Sequence, residues 1–140
     1  MNYDILVVDD SKAALFLFKK IIGLSGAPVN KLLTADNGLN AIEVLKKNKV
    51  DLIMTDINMP EMDGFELLEY LKKDDMFKEI PVIVITTEGR GKYIDKAKEL
   101  GAVNYLKKPF QPEQVKRLIL EALEVEEDEG NITGSEECDF

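Results

Sequence analysis

A chain of 140 residues with 45% hydrophobic and 32% charged side chains has enough apolar mass for one domain with a real core, which excludes disorder for its bulk. It shows no secretory leader and no span-length apolar run, and its one cysteine, Cys138, leaves no disulfide frame or clustered thiolate metal site, so a cytoplasmic protein is expected. Of the net charge of −9, residues 126–140 supply seven acids and no base, leaving 20 acids against 18 bases in residues 1–125, a balance that argues against nucleic-acid binding by this chain alone.

Strand-like and helix-like patterns alternate five times, as in a parallel sheet covered by helices on both faces. Tyr3 to Val8 reads as the first strand. Ser11 caps a first helix to about Leu24, with Ala14, Phe18, Ile21 and Ile22 on its apolar face and Gly23, Gly26 and Pro28 ending it. Lys31 to Ala35 is the second strand, and Gly38 to Lys47 the second helix, with Ala41, Ile42 and Leu45 inward. Leu52-Ile53-Met54-Thr55 is a buried strand that ends at Asp56. Asp63 and Glu66 form a capping box for a helix to about Lys73, with Phe65, Leu68 and Leu71 inward.

Pro81 opens the fourth strand, whose run Val82 to Ile85 implies burial on both faces. The helix from Gly91 to Leu100 offers only Ile94, Ala97 and Leu100 to a core, so mobility is expected there. A short fifth strand, Val103 to Leu106, runs into Lys107-Lys108-Pro109. Pro112 then opens the last helix, where Val115, Leu118, Ile119, Ala122 and Leu123 repeat at helical spacing. The pattern dissolves past Val125. The expected organisation is therefore a domain over 1–125 and an acidic, disordered tail over 126–140.

Ligands gather outside the carboxyl ends of parallel strands, and here those ends carry Asp9-Asp10, Asp56, Thr86-Thr87 and Lys108. Asp56 alone would be a turn or cap residue. Three carboxylates at neighbouring strand ends, however, need a cation among them, and a chain without histidine favours a hard divalent ion such as Mg²⁺ over zinc or copper. Such a site suits phosphoryl transfer onto a carboxylate. Asp56 is then the nucleophile, Asp10 a direct metal ligand, Asp9 a partner through metal-bound water and the Asn58 backbone carbonyl a further ligand. Thr86 and Lys108 would bind phosphoryl oxygens.

These residues carry a resemblance. The chain resembles the response-regulator receiver domain, most closely the free-standing CheY-like type: Asp9-Asp10, Asp56 with Met59-Pro60 and Gly64, Thr86 thirty residues past Asp56, and Lys108-Pro109 match in type and spacing. The resemblance implies a flavodoxin-like (βα)5 fold with strand order 2-1-3-4-5. It implies that a sensor histidine kinase or phosphotransfer protein phosphorylates Asp56, and that Thr86 moves toward the new charge. Tyr105 would be the rotamer switch, and Pro109 a candidate for a cis peptide. The helix from Gly91, the fifth strand and the last helix would form the face that binds a downstream target. Asn58 and Glu88 match positions that tune dephosphorylation, with or without a separate phosphatase; equally, they read as solvated loop polars.

A haloacid-dehalogenase phosphatase would need an Asp-x-Asp pair, which neither Asp9-Asp10 nor Asp56-Ile57-Asn58 supplies. Turnover catalysis is thus disfavoured. Within the receiver reading two outputs stay open: a complete single-domain regulator, as in chemotaxis, or the first module of a longer regulator truncated before its output domain.

Overall fold

Unbroken runs of Val, Ile, Leu and Met satisfy their chemistry only when covered on both faces, and this chain folds accordingly. The computed structural model describes residues 2–87 and 91–123. Its elements in order are β1 (Tyr3–Val8), α1 (Lys12–Ser25), β2 (Val29–Ala35), α2 (Gly38–Lys47), β3 (Leu52–Asp56), α3 (Gly64–Lys73), β4 (Val82–Thr86), α4 (Gly91–Glu99), β5 (Asn104–Lys107) and α5 (Pro112–Ala122). The five strands pair in parallel in the order β2-β1-β3-β4-β5. This is the expected doubly wound, flavodoxin-like sheet.

Side chains alternate across each strand, so the sheet has two cores. Leu6, Val8, Ile53 and Val82 pack with α2 and α3 through Ala41, Leu45, Leu67, Leu68 and Leu71. Ile5, Val7, Leu52, Met54, Ile83 and Ile85 face α1 and α5, meeting Phe18, Ile22, Val115 and Ile119. Every side chain from Ile5 to Val8 and from Leu52 to Met54 is 1% exposed or less. Each such Val, Leu or Ile contributes about 1.5–3 kcal/mol through its removal from water. A third, smaller cluster of Ile57, Val84 and Ala97 holds α4.

Several boundaries depart from the sequence reading. α1 continues through Gly23 and ends at Gly26, whose φ of 76° suits a residue without a Cβ, while the Ser25 hydroxyl donates to the Ile22 carbonyl. β2 begins at Val29 rather than Lys31 because Tyr3 pairs with Val29 across an irregularity in β1. β5 is displaced by one residue, leaving Val103 exposed and taking in Lys107. On α3 it is Leu67 that joins Leu68 and Leu71 in the core, whereas Phe65 is half-buried and packs edge-on to Tyr93 at 5.9 Å. α4 ends at Glu99. The expected capping box of α3 is present. The acidic segment 126–140, with Cys138, lies outside the described residues, as does Glu88.

Candidate functional site: a carboxylate cluster at the strand ends

Register decides which side chains meet. Val8 pairs with Thr55, Asp56 with Ile85 and Thr86 with Lys107, so β1, β3, β4 and β5 stop within a residue or two of each other along one edge. The residues at these ends or just past them, Asp9-Asp10, Asp56-Ile57, Thr86-Thr87 and Lys108, line that edge. One ligand oxygen from each of Asp9, Asp10 and Asp56 falls within 4.8 Å of the others. Asp9 is buried, Asp56 intermediate and Asp10 exposed.

Local hydrogen bonds hold each acid. Asp9 Oδ1 accepts from the Ser11 amide at 2.9 Å, and the Ser11 hydroxyl in turn caps α1 by accepting from the Ala14 amide. Asp9 Oδ2 receives the Lys108 ammonium at 3.2 Å, a pairing across 99 residues of chain. Asp56 Oδ1 accepts from the Ile57 amide at 2.9 Å. Burial pushes the Asp56 carboxyl above the ordinary carboxylate value; the charges of Asp9 and Asp10 push it further, against the opposing pull of Lys108 and the Ile57 amide. Negative charge at Asp56 is therefore under-compensated.

That shortfall is the test of fit for a metal. The cluster presents three carboxylates, hard oxygen donors, with a single lysine ammonium on one of them, and the composition suits a divalent ion of the Mg²⁺ class.

The loop beyond Asp56 is built tightly. The Gly64 amide donates to the Ile57 carbonyl at 2.8 Å, and a Cβ on Gly64 would stand 2.3 Å from the Asp56 carbonyl oxygen. Glu61 takes a left-handed φ of 68°, a strained state for a residue with a Cβ, and the Met62 carbonyl then accepts from the Gly38 amide at the start of α2. Asn58 is exposed on this loop beside Asp56. Thr86 is 4% exposed at the end of β4, and its carbonyl accepts from the Lys108 amide at 2.8 Å. The Lys108-Pro109 peptide is cis, as the resemblance implied. Tyr105 is half-buried against the cluster of Ile57, Val84 and Ala97, and it also borders the groove between β5 and α5. Those residues connect the loop after Asp56 with α4.

The Lys108 ammonium, expected on phosphoryl oxygens, rests here on Asp9, a pairing of residues too far apart in the chain to be legible from the sequence. Two further contacts at the site carry no sequence signal: the Ser11 amide on Asp9, and the Phe110 ring that packs on Phe18 at 5.2 Å beside the cis proline. Thr87, exposed, borders a cleft with Asp9, Lys108, Pro109 and Phe110.

Comparison with known proteins bears on this arrangement. The model of the response regulator receiver domain matches residues 5–120. Chemotaxis protein CheY1 of Helicobacter pylori is 40% identical over 113 residues, 80% of this chain and 90% of that protein. The probable transcriptional regulator ycf29 of Porphyra purpurea is 39% identical over 119 residues, and the chain spans 56% of its length. Chemotaxis response regulator CheY4 of Vibrio cholerae superimposes with a TM-score of 0.76 at 29% identity, over 88% of this chain and all of that one. With the match spanning most of the chain and the acidic cluster at the edge where ligands of this fold gather, the chain belongs to the response regulator receiver domain family.

Proposed function

We propose that this receiver is the phosphoacceptor of a two-component relay, with Asp56 as the residue that accepts the phosphoryl group. The observation that carries the reading is the convergence of Asp9, Asp10 and Asp56 to within 4.8 Å at the sheet edge, with Asp56 placed between two other strand ends. A carboxylate oxygen of Asp56 forms a bond to phosphorus while the bond from phosphorus to the donor's histidine nitrogen breaks, and that nitrogen leaves with its electron pair. The product is an acyl phosphate on Asp56. Mg²⁺, which receivers bind at this acidic pocket, supplies charge neutralisation for the phosphoryl oxygens. Asp10, Asp9, Asp56 and the Asn58 carbonyl would hold it.

The chain's own residues do the rest. Lys108, on Asp9 at 3.2 Å, is within a side-chain swing of the Asp56 carboxylate and would exchange Asp9 for a phosphoryl oxygen. Thr86 would bring its hydroxyl to a second oxygen, and Tyr105, packed against the cluster of Ile57, Val84 and Ala97, would follow into the space it leaves. A new charge shifts the α4-β5-α5 face only by the difference in its interaction with the two arrangements. α4, with two buried side chains, resists least. Asn58 and Glu88 would set the lifetime of the acyl phosphate.

Receivers transduce signals rather than turn over substrates, and apart from self-phosphorylation and self-dephosphorylation this chain would catalyse nothing. Its partners would be a histidine kinase or phosphotransfer protein, a target on the α4-β5-α5 face and a phosphatase. None of the described helices is long and apolar enough to cross a membrane, and a cytoplasmic setting fits such partners. The extent of the CheY1 match, 90% of that protein, favours a free-standing regulator over residues 1–125 with an acidic tail, serving chemotaxis. The 56% coverage of ycf29 supports the second reading, a module of a longer regulator. Incubation with acetyl phosphate and Mg²⁺ tests the assignment: the intact chain should gain one phosphoryl mass, and Asp56→Asn should gain none. Equal labelling of that variant would overturn it.

A further inference from the structure

α1 is unlike every other described helix. Its charged residues, Lys12, Lys19 and Lys20, are all basic, whereas α2, α3, α4 and α5 each mix both signs. It also exposes Phe16 at 64%, Leu17 at 55% and Leu24 at 77%, three of the large apolar side chains that the described surface leaves in water. The Lys20 ammonium lies 5.4 Å from the centre of the Phe16 ring, so cation and apolar surface are interleaved in one patch. Exposed apolar patches of this kind mark contact surfaces.

The same chain holds the complementary chemistry. Residues 126–140 carry seven acids and no base, with Ile132 and Phe140 as apolar residues among them. α1 and α5 share one face of the sheet, and each follows a strand's carboxyl end, so both run away from the acidic site toward the opposite rim. The segment after α5 thus starts at the rim where α1 finishes. Running back, it needs to cover only about 21 Å, the length of a fourteen-residue helix. Fifteen residues can extend to roughly 50 Å.

We propose that the acidic segment 126–140 docks along α1 of its own chain, its carboxylates on Lys12, Lys19 and Lys20 and its apolar residues on Phe16, Leu17 and Leu24. Exposed ion pairs are individually weak, but tethering supplies a local concentration of the order of millimolar, enough to populate a weak contact.

Cys138 is the one cysteine of the chain and takes a nitroxide label without any substitution. In isotope-labelled full-length protein, the amide signals of Phe16, Leu17, Lys20 and Leu24 should lose intensity to the nitroxide while those of α2 and α3 keep theirs. The loss should be reversed by about 1 M salt, where screening acts within ~3 Å, and by the triple variant Lys12→Gln, Lys19→Gln, Lys20→Gln. Loss centred on the α4-β5-α5 face, loss that persists in the triple variant, or loss seen only when labelled chains are mixed with unlabelled ones would overturn the proposal.

Discussion

Asp56 is the residue on which burial and like charge act together. Its carboxyl is held above the ordinary value of 3.8, first by burial and then by Asp9. A folded-state value above the unfolded one means that the fold favours the protonated acid: this stability is complete below the unfolded value and is lost as pH rises through the folded one. In the presence of a chelator, Asp56→Asn should therefore be more stable than the parent at neutral pH, with the difference vanishing toward pH values below 3.8. Chemical denaturation across pH measures this; a variant less stable at neutral pH would contradict it. Lys108 acts in the opposite sense. Its ammonium on Asp9 competes with any cation in the cluster, so Lys108→Met should raise Mg²⁺ affinity by on the order of ten-fold, the weight of one unit charge near a divalent ion in a largely solvated site. Titration calorimetry would show it, and weaker binding would mean that Lys108 organises the acids instead of opposing the metal.

Among the elements, the loop from Asp56 to α3 is tightly constrained, and α4 is held more loosely than its neighbour on the output face, α5. Gly64 touches the Asp56 carbonyl so closely that Gly64→Ala must displace either the helix start or the acid-bearing loop. The cost should be about 1–3 kcal/mol, as for overpacking of a filled core. It should appear as a lower denaturation midpoint together with weakened Mg²⁺ binding; parental values of both would mean that the loop is softer than its geometry. α4 buries only Ile94 and Ala97, against Val115, Leu118 and Ile119 on α5. Its amides should exchange with solvent well before those of α5, and equal protection would remove α4 as the compliant part of the output face.

At the scale of the whole molecule, the layered fold was legible because each strand is an unbroken apolar run and most helices repeat an apolar stripe. Boundaries were less so. The start of β2 depends on pairing with Tyr3, and the inward turn of Leu67 in place of Phe65 depends on where Tyr93 and the sheet stand. The acids of the site were legible because parallel strands align their carboxyl ends, which turns residues 9, 10 and 56 into neighbours. The resting partner of Lys108 was not, since it lies across the sheet and depends on how far β5 runs.

The central claim is that Asp56 accepts phosphorus, and an acyl phosphate has a chemistry that reports its own position. Borohydride reduces it to homoserine, and sequencing the peptides by mass spectrometry after treatment with acetyl phosphate and Mg²⁺ reads out the residue converted. Conversion at Asp56, absent without the phosphodonor, is the expected result. Conversion at Asp9 or Asp10, or a phosphoryl group that resists reduction because it sits on a hydroxyl such as that of Thr86, would contradict the account.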